Sequence, residues 1–179
     1  MSFEYCPFHA DEALAGVPLG DDIGTEAFTC PRTTGHPAEG PWTWAANPEP
    51  PVVAGIGGLA QELSLDFELP KAVQHYGGRW VEYGLVERAY AVAKPDDFRS
   101  LVSRFGHSEQ LGHTNYTASA YLARTLGALS RRGDVAFKAG AGTGRWDYNA
   151  TISYWSMPPA PSWENRLTWE QSGCTVDYL

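Results

Sequence analysis

The chain has 179 residues, of which 43% are hydrophobic and 13% aromatic, and a formal net charge of −8. That length suits one domain or one domain plus a small module, and the apolar share is enough to bury a core. No apolar run approaches a membrane span and no secretory signal is visible, so a soluble cytoplasmic protein is expected; the net charge argues against a general, charge-driven nucleic-acid binder.

Charge is unevenly spread. Met1 to Pro70 carries 11 acids against one arginine, or −10, whereas Lys71 to Met157 carries 11 bases against 7 acids, or +4. From Pro158 to Leu179 there are 3 acids and one arginine, or −2. A basic middle of this size can neutralise several phosphates, although the acidic remainder weakens non-specific binding.

Residues 1–51 read as an irregular acidic module. Cys6-Pro7-Phe8-His9 and Cys30-Pro31, followed by His36-Pro37, give a Cys-x2-His pair and a Cys-x5-His pair. Two local pairs of nitrogen and sulfur ligands are what tetrahedral zinc requires. Cys6, His9, Cys30 and His36 are therefore the expected ligands of a structural zinc, with every position filled by protein. The intervening Gly, Pro, Asp and Thr residues carry little periodicity and need such a staple to offset their ordering entropy. Free thiols with surface histidines, or a Cys6–Cys30 disulfide, are the competing readings; a reducing compartment disfavours the disulfide. Cys174 stands apart and is expected to pack. The proline run Asn47 to Pro51 reads as a connection.

Residues 52–157 read as the main domain. Val52 to Ala60 has the look of a strand–glycine–helix turn. It lacks the second strand and acidic partner of a dinucleotide site, so it is expected to lead into a helix around Leu59 to Leu65. A helix is predicted from about Gly78 to Ala93, with Val81, Leu85, Ala89 and Val92 on one face. Pro95 then suits a first helical position, Asp96 and Asp97 suit the positive end, and Phe98, Leu101, Val102 and Phe105 follow helical spacing up to Gly106. The connection from His107 to Tyr116 is long. His107, Glu109 and His113 could together hold a catalytic metal with an open position, although a polar loop accounts for the same residues. No triad order, phosphate loop or metalloprotease signature accompanies them, and no catalytic residue is assigned.

Thr117 is a suitable N-cap and Gly133 a suitable stop, with Arg131 and Arg132 in the last turn between them. Ala118, Leu122, Thr125, Leu126 and Leu129 fall on one face at 100° per residue, and that face should be buried. Opposite lie Thr117, Ala120, Arg124, Gly127 and Arg131: small residues, two arginines and no acid. Small residues permit close approach, and arginine binds phosphate or a guanine edge bidentately. Val135 and Phe137, then Trp146, Tyr148, Ala150, Ile152 and Tyr154, alternate as two strands about Gly140, Gly142 and Gly144. Lys138, Thr143 and Arg145 flank that tip. In residues 158–179, Pro158, Pro159 and Pro161 end the second strand. Trp163, Leu167 and Trp169 are too apolar for a free tail, so this segment is expected to pack on the domain or on a second subunit of a homodimer.

The Lys71–Met157 half resembles winged helix-turn-helix DNA-binding domains, on element order, the Leu122/Leu126/Leu129 register and the glycine-rich wing. The implied fold is α+β: a winged-helix core with a hairpin wing, preceded by the zinc-stapled module. The implied function is sequence-specific binding of double-stranded DNA by a transcriptional regulator. Thr117, Ala120, Arg124 and Arg131 would face the major groove, and Lys138, Thr143 and Arg145 the phosphates. Two other classes fit the same residues. One is a protein-interaction module whose acidic N-terminal region meets a basic partner. The other is a small metal-dependent hydrolase or nuclease at His107, Glu109 and His113.

Overall fold

A Cys-Pro-Phe-His turn reverses the chain between its first two strands. The structure, a computed structural model, describes residues 3–19, 26–46, 56–108, 117–175 and 178. Strand β1 (Phe3–Cys6) pairs antiparallel with β2 (His9–Ala15), and the register slips between Tyr5 and Cys6 where the turn begins. Strands β3 (Val17–Pro18), β4 (Glu26–Cys30) and β5 (Trp42–Ala46) form a second antiparallel sheet. In β4 the inward positions are Glu26, Phe28 and Cys30, the period-two pattern of a half-buried strand. Phe28 stacks on Trp44 across the pair with ring centroids 5.7 Å apart. The expectation of an irregular N-terminal module is thus corrected: its described residues carry five strands in two sheets. The strands are only two to seven residues long and are separated by Gly- and Pro-rich segments, so their alternation does not stand out.

Helices follow. α1 spans Ile56–Glu62, and α2 (Leu65–Gln74) buries Leu65, Leu69, Ala72 and Val73 along one stripe. The predicted helix from Gly78 begins later, because Trp80–Glu82 forms strand β6; α3 runs from Tyr83 to Ala93. Strand pairing wins there because β6 is buried along its whole length. α4 (Pro95–Phe105) starts on Pro95 and ends at Gly106, and buries Phe98 and Leu101. α5 (Ala118–Arg132) has Thr117 as its N-cap, whose hydroxyl accepts from the Ala120 N–H at 3.1 Å, and Gly133 as its stop.

The third sheet has the order β7-β8-β6-β9. β7 (Ala136–Gly140) and β8 (Ile152–Ser156) are antiparallel, and β6 continues the sheet on the far side of β8. The second strand was expected to begin at Trp146, but Gly144–Trp146 is a single 3-10 turn and the strand starts at Ile152. Trp146 turns inward instead and is 2% exposed. The tail supplies β9 (Arg166–Leu167), parallel to β6, and a short helix α6 (Trp169–Ser172) closed by a Thr168/Gln171 capping box. The chain is therefore a mixed α+β fold in its described residues. Helix α5 lies between β5 on one side and α2 and α4 on the other.

Candidate metal centre

The turn after β1, the end of β4 and the loop that follows it bring Cys6, His9, Cys30 and His36 together. One ligand atom from each lies within 4.8 Å of all the others. Cys6 Sγ is 3.6 Å from His9 Nδ1 and 3.6 Å from His36 Nε2, and Cys30 Sγ is 3.4 Å from His9 Nδ1. Zinc–sulfur bonds of about 2.3 Å and zinc–nitrogen bonds of about 2.0–2.1 Å, set at tetrahedral angles, give a sulfur–nitrogen edge of about 3.5–3.6 Å. The cluster already has that edge. Both cysteines are buried, and no disulfide joins them.

The surroundings fix which atoms face inward. His36 Nδ1 lies 3.0 Å from the Gly40 carbonyl, so the proton sits on Nδ1 and Nε2 is left to donate a lone pair. Metal-bound histidines are oriented in this way by a second hydrogen bond. Gly35 has φ +84°, and a Cβ built there would lie 2.6 Å from His9 Nε2. The loop therefore needs glycine twice over, for its backbone and for the room His9 takes. Phe8 and Trp42 pack their rings around His36, at 5.8 and 6.3 Å. Outside the cluster, Arg32 donates to Asp11 at 2.7 Å, which holds the exposed Asp11 carboxyl below its ordinary range. These four residues can hold a metal ion, and the donor set is compatible with zinc. A tetrahedral ion held by all four would have every position filled by protein.

Several of the residues expected to meet DNA also make contacts within the chain. Thr117 is buried as a cap and Ala120 is half-buried. Gly127 lies under β5: a Cβ there would sit 3.1 Å from the Ala45 carbonyl. Beside it, Trp42 Nε1 donates to the Ser130 carbonyl at 3.1 Å, and Ala45 N–H donates to Ser130 Oγ at 3.4 Å. Arg131 donates to Glu4 Oε1 at 2.9 Å, and Trp44 Nε1 donates to the other oxygen of the same carboxylate at 3.2 Å. Arg124 is half-buried, with Nε and Nη1 withdrawn from solvent. At the wing, Thr143 donates to Glu82 through both its N–H and its hydroxyl. Arg145 lies over Trp146 and Trp169 at 5.6 and 5.7 Å, and exposed Lys138 lies 5.2 Å over Trp80. The expectation that the whole face opposite Leu122 is presented outward is corrected: strands of the acidic N-terminal region cover its Gly127 side. What stays at the surface is a narrow stripe of Ala120, Arg124, Ala128 and Arg131.

The cover is firm. Trp42 and Trp44 are 3% and 0% exposed, and removing a buried ring of this size costs about 3–5 kcal/mol.

Two buried carboxylates escaped the sequence reading. Glu82 accepts from Thr143, from Tyr154 and from the Trp169 N–H at 2.8 Å. Glu87 accepts from His107 Nε2, Tyr83 and Tyr178, each at 2.9 Å. Burial pushes the Glu87 carboxyl up, but the His107 hydrogen bond and charge, with further donors, bring it below its ordinary value. Burial and the adjacent Glu87 together raise the Tyr83 phenol. His107 is therefore committed to Glu87 with both side chains fully enclosed. The other two members of the alternative catalytic set, Glu109 and His113, lie outside the described residues, as does the proline run 47–51.

Among the described residues no helix is long and apolar enough to cross a membrane. No family model matches the chain, and neither the curated proteins nor the solved structures contain a match to it.

Proposed function

We propose that Cys6, His9, Cys30 and His36 bind one zinc ion as a closed structural centre, and that the chain is a non-catalytic, metal-stapled interaction module. Three sulfur–nitrogen separations of 3.4–3.6 Å carry this reading, because each is close to the edge of a tetrahedral zinc site. The zinc fixes the turn after β1 to the loop after β4, and so holds β5 in register over α5. Protein contact is supported by the outer face of the β1–β2 ribbon. Phe3 and Tyr5, 69% and 61% exposed, stand there opposite Ala15 and Ala13, in a region whose acidic balance suits a basic partner. The test is elemental analysis of protein purified without chelators. One zinc per chain is expected, falling to a trace in Cys6→Ser and Cys30→Ser. A metal-free protein that melts at the same temperature after zinc is added would overturn the proposal.

A second reading, sequence-specific DNA binding, keeps support from one observation. The β6-β8-β7 order beside α2, α3 and α5 is compatible with a winged helix to which α4 and β9 are added, and the Ala120/Arg124/Ala128/Arg131 stripe reaches the surface. Selection of duplexes from a random pool at low salt tests it. An enriched site whose binding is lost in Arg124→Ala/Arg131→Ala would favour a regulator; no enrichment would dismiss it.

A further inference from the structure

Two cations reach one ring from opposite edges of the third sheet. Lys138 stands on edge strand β7 and Arg166 on edge strand β9, and both are exposed. Lys138 Nζ lies 5.5 Å from the centre of the Trp163 ring and 5.2 Å from that of Trp80. The Arg166 guanidinium carbon lies 5.2 Å from the same Trp163 ring. The two charges are therefore at most about 11 Å apart.

The ring between them is held in place by the fold. Trp80 Nε1 donates to the Pro161 carbonyl at 2.9 Å, which ties the tail to β6 just before Trp163. Trp163 meets Tyr154 edge-on at 5.1 Å and Trp80 at 5.9 Å, and Gly140 leaves it room, since a Cβ there would lie 3.2 Å from its ring. Trp80 and Tyr154 are each 2% exposed, whereas Trp163 is half-buried and keeps part of its ring at the surface.

No acid among the described residues offsets the two charges. Arg166 donates to the Trp163 carbonyl at 3.5 Å, and neither it nor Lys138 pairs with a carboxylate. Glu82 shares this face of the sheet, but it is fully enclosed and accepts from Thr143, Tyr154 and Trp169. An exposed cation gains little from an aromatic face, and two like charges at this range repel. A partly open indole with a positive charge on each of its neighbours suits a flat ligand that carries two negative charges.

We infer that Lys138, Trp163 and Arg166 form a binding site for a phosphate monoester carried on a flat ring, the class of an aryl phosphate or a nucleoside monophosphate. The planar guanidinium takes two phosphate oxygens and the ammonium a third. The ligand ring lies on the open part of Trp163. A monoester fits better than a diester because its dianion matches both cations. The site shares no residue with the metal cluster and depends on neither functional reading given above.

Calorimetric titration of the full chain with phenyl phosphate at about pH 8, where the monoester is a dianion, tests this. Saturable binding at one site per chain is expected. Lys138→Gln and Arg166→Gln should each weaken it at least about tenfold and leave the melting temperature unchanged, since both side chains are exposed. Benzenesulfonate, the same ring with one charge, and methyl phosphate, the same dianion without a ring, should both bind more weakly at matched ionic strength. Absence of saturable binding by phenyl phosphate would overturn the site. So would binding that survives in the double variant, or equal affinity for either of the two control compounds.

Discussion

The two halves of this molecule solve the same problem by different means. The half from α2 onward encloses a continuous apolar core in which Leu65, Leu69, Leu85, Leu101, Leu122 and Tyr121 are each at most 1% exposed. Its two fully buried carboxylates each accept several hydrogen bonds, and its longest elements are helices of 10 to 15 residues. The N-terminal half has strands of two to seven residues and leaves Phe3, Tyr5 and Val17 more than 60% exposed. Its inward residues are few: Phe28, Trp42, Trp44 and the two cysteines are the main ones. Where apolar burial is this thin, the four metal–ligand bonds proposed for Cys6, His9, Cys30 and His36 would order the loops. The comparison teaches that the metal cluster should govern the stability of one half and leave the other nearly untouched.

The largest effect should come from the ligands. Structural zinc contributes on the order of 10 kcal/mol to the folding of small metal-dependent units at neutral pH. Cys30→Ser, or chelation of the wild type, is expected to unprotect the backbone amides of β1, β2 and β4 in hydrogen exchange, while α3 retains its slow amides. α5 should show an intermediate loss, since β5 lies on it. Uniform loss across α3 and α4 would mean that the two halves fold as one unit and that the contrast drawn above is wrong.

Much of the larger half is legible in the sequence because its signals are local. Thr117 and Gly133 bound α5, and Pro95 and Gly106 bound α4, since a cap hydroxyl, a fixed proline φ and a glycine stop act within one turn. The metal ligands are legible for the same reason, as each pair is close in sequence even though the two pairs lie far apart. What is illegible is set at long range. Nothing near Gly127 announces that Ala45 will lie on it, and an arginine on a helix looks the same whether it meets solvent or the carboxylate of Glu4. Trp146 carries an aromatic strand signal, yet its ring is turned inward against Gly84, where a Cβ would collide with it. The pairing of Glu87 with His107 joins residues 20 apart, one on α3 and the other in the loop after α4, and neither shows a motif.

An intermediate effect belongs to Glu87. Removing one partner of a buried, hydrogen-bonded pair typically costs about 3–5 kcal/mol, and Glu87→Ala should fall in that range in chemical denaturation without loss of zinc. Its pH dependence has a definite sign. The folded-state carboxyl titrates below its ordinary value of 4.5, so the stabilisation is fully present above that pH and is lost as pH falls through the folded value. With metal state matched by working in chelator, stability of the wild type should drop more steeply below about pH 4.5 than that of Glu87→Gln. Parallel curves for the two proteins would remove Glu87 from the acid response.

The smallest effect is the one that bears most directly on whether α5 can meet a polyanion. Arg131 and Glu4 form an ion pair between the two halves at the surface, with side chains 44% and 21% exposed. An exposed pair of this kind is worth about 0–1 kcal/mol, because solvent screens it and two long side chains must be held. A double-mutant cycle on Glu4→Gln and Arg131→Ala should therefore give a coupling energy under about 1 kcal/mol. Docking of the N-terminal strands would then rest on Trp42, Trp44 and Ser130, which remain in both variants. A coupling above about 2 kcal/mol would instead make the ion pair a main fastening between the halves. The same Glu4→Gln protein separates the two functional readings. Glu4 occupies the guanidinium of Arg131 as a phosphate would, so its neutralisation should strengthen low-salt duplex binding if the stripe on α5 reads DNA. If the chain is an interaction module, Glu4→Gln should leave duplex affinity unchanged, because the acidic ribbon and not the arginine stripe is then the surface in use.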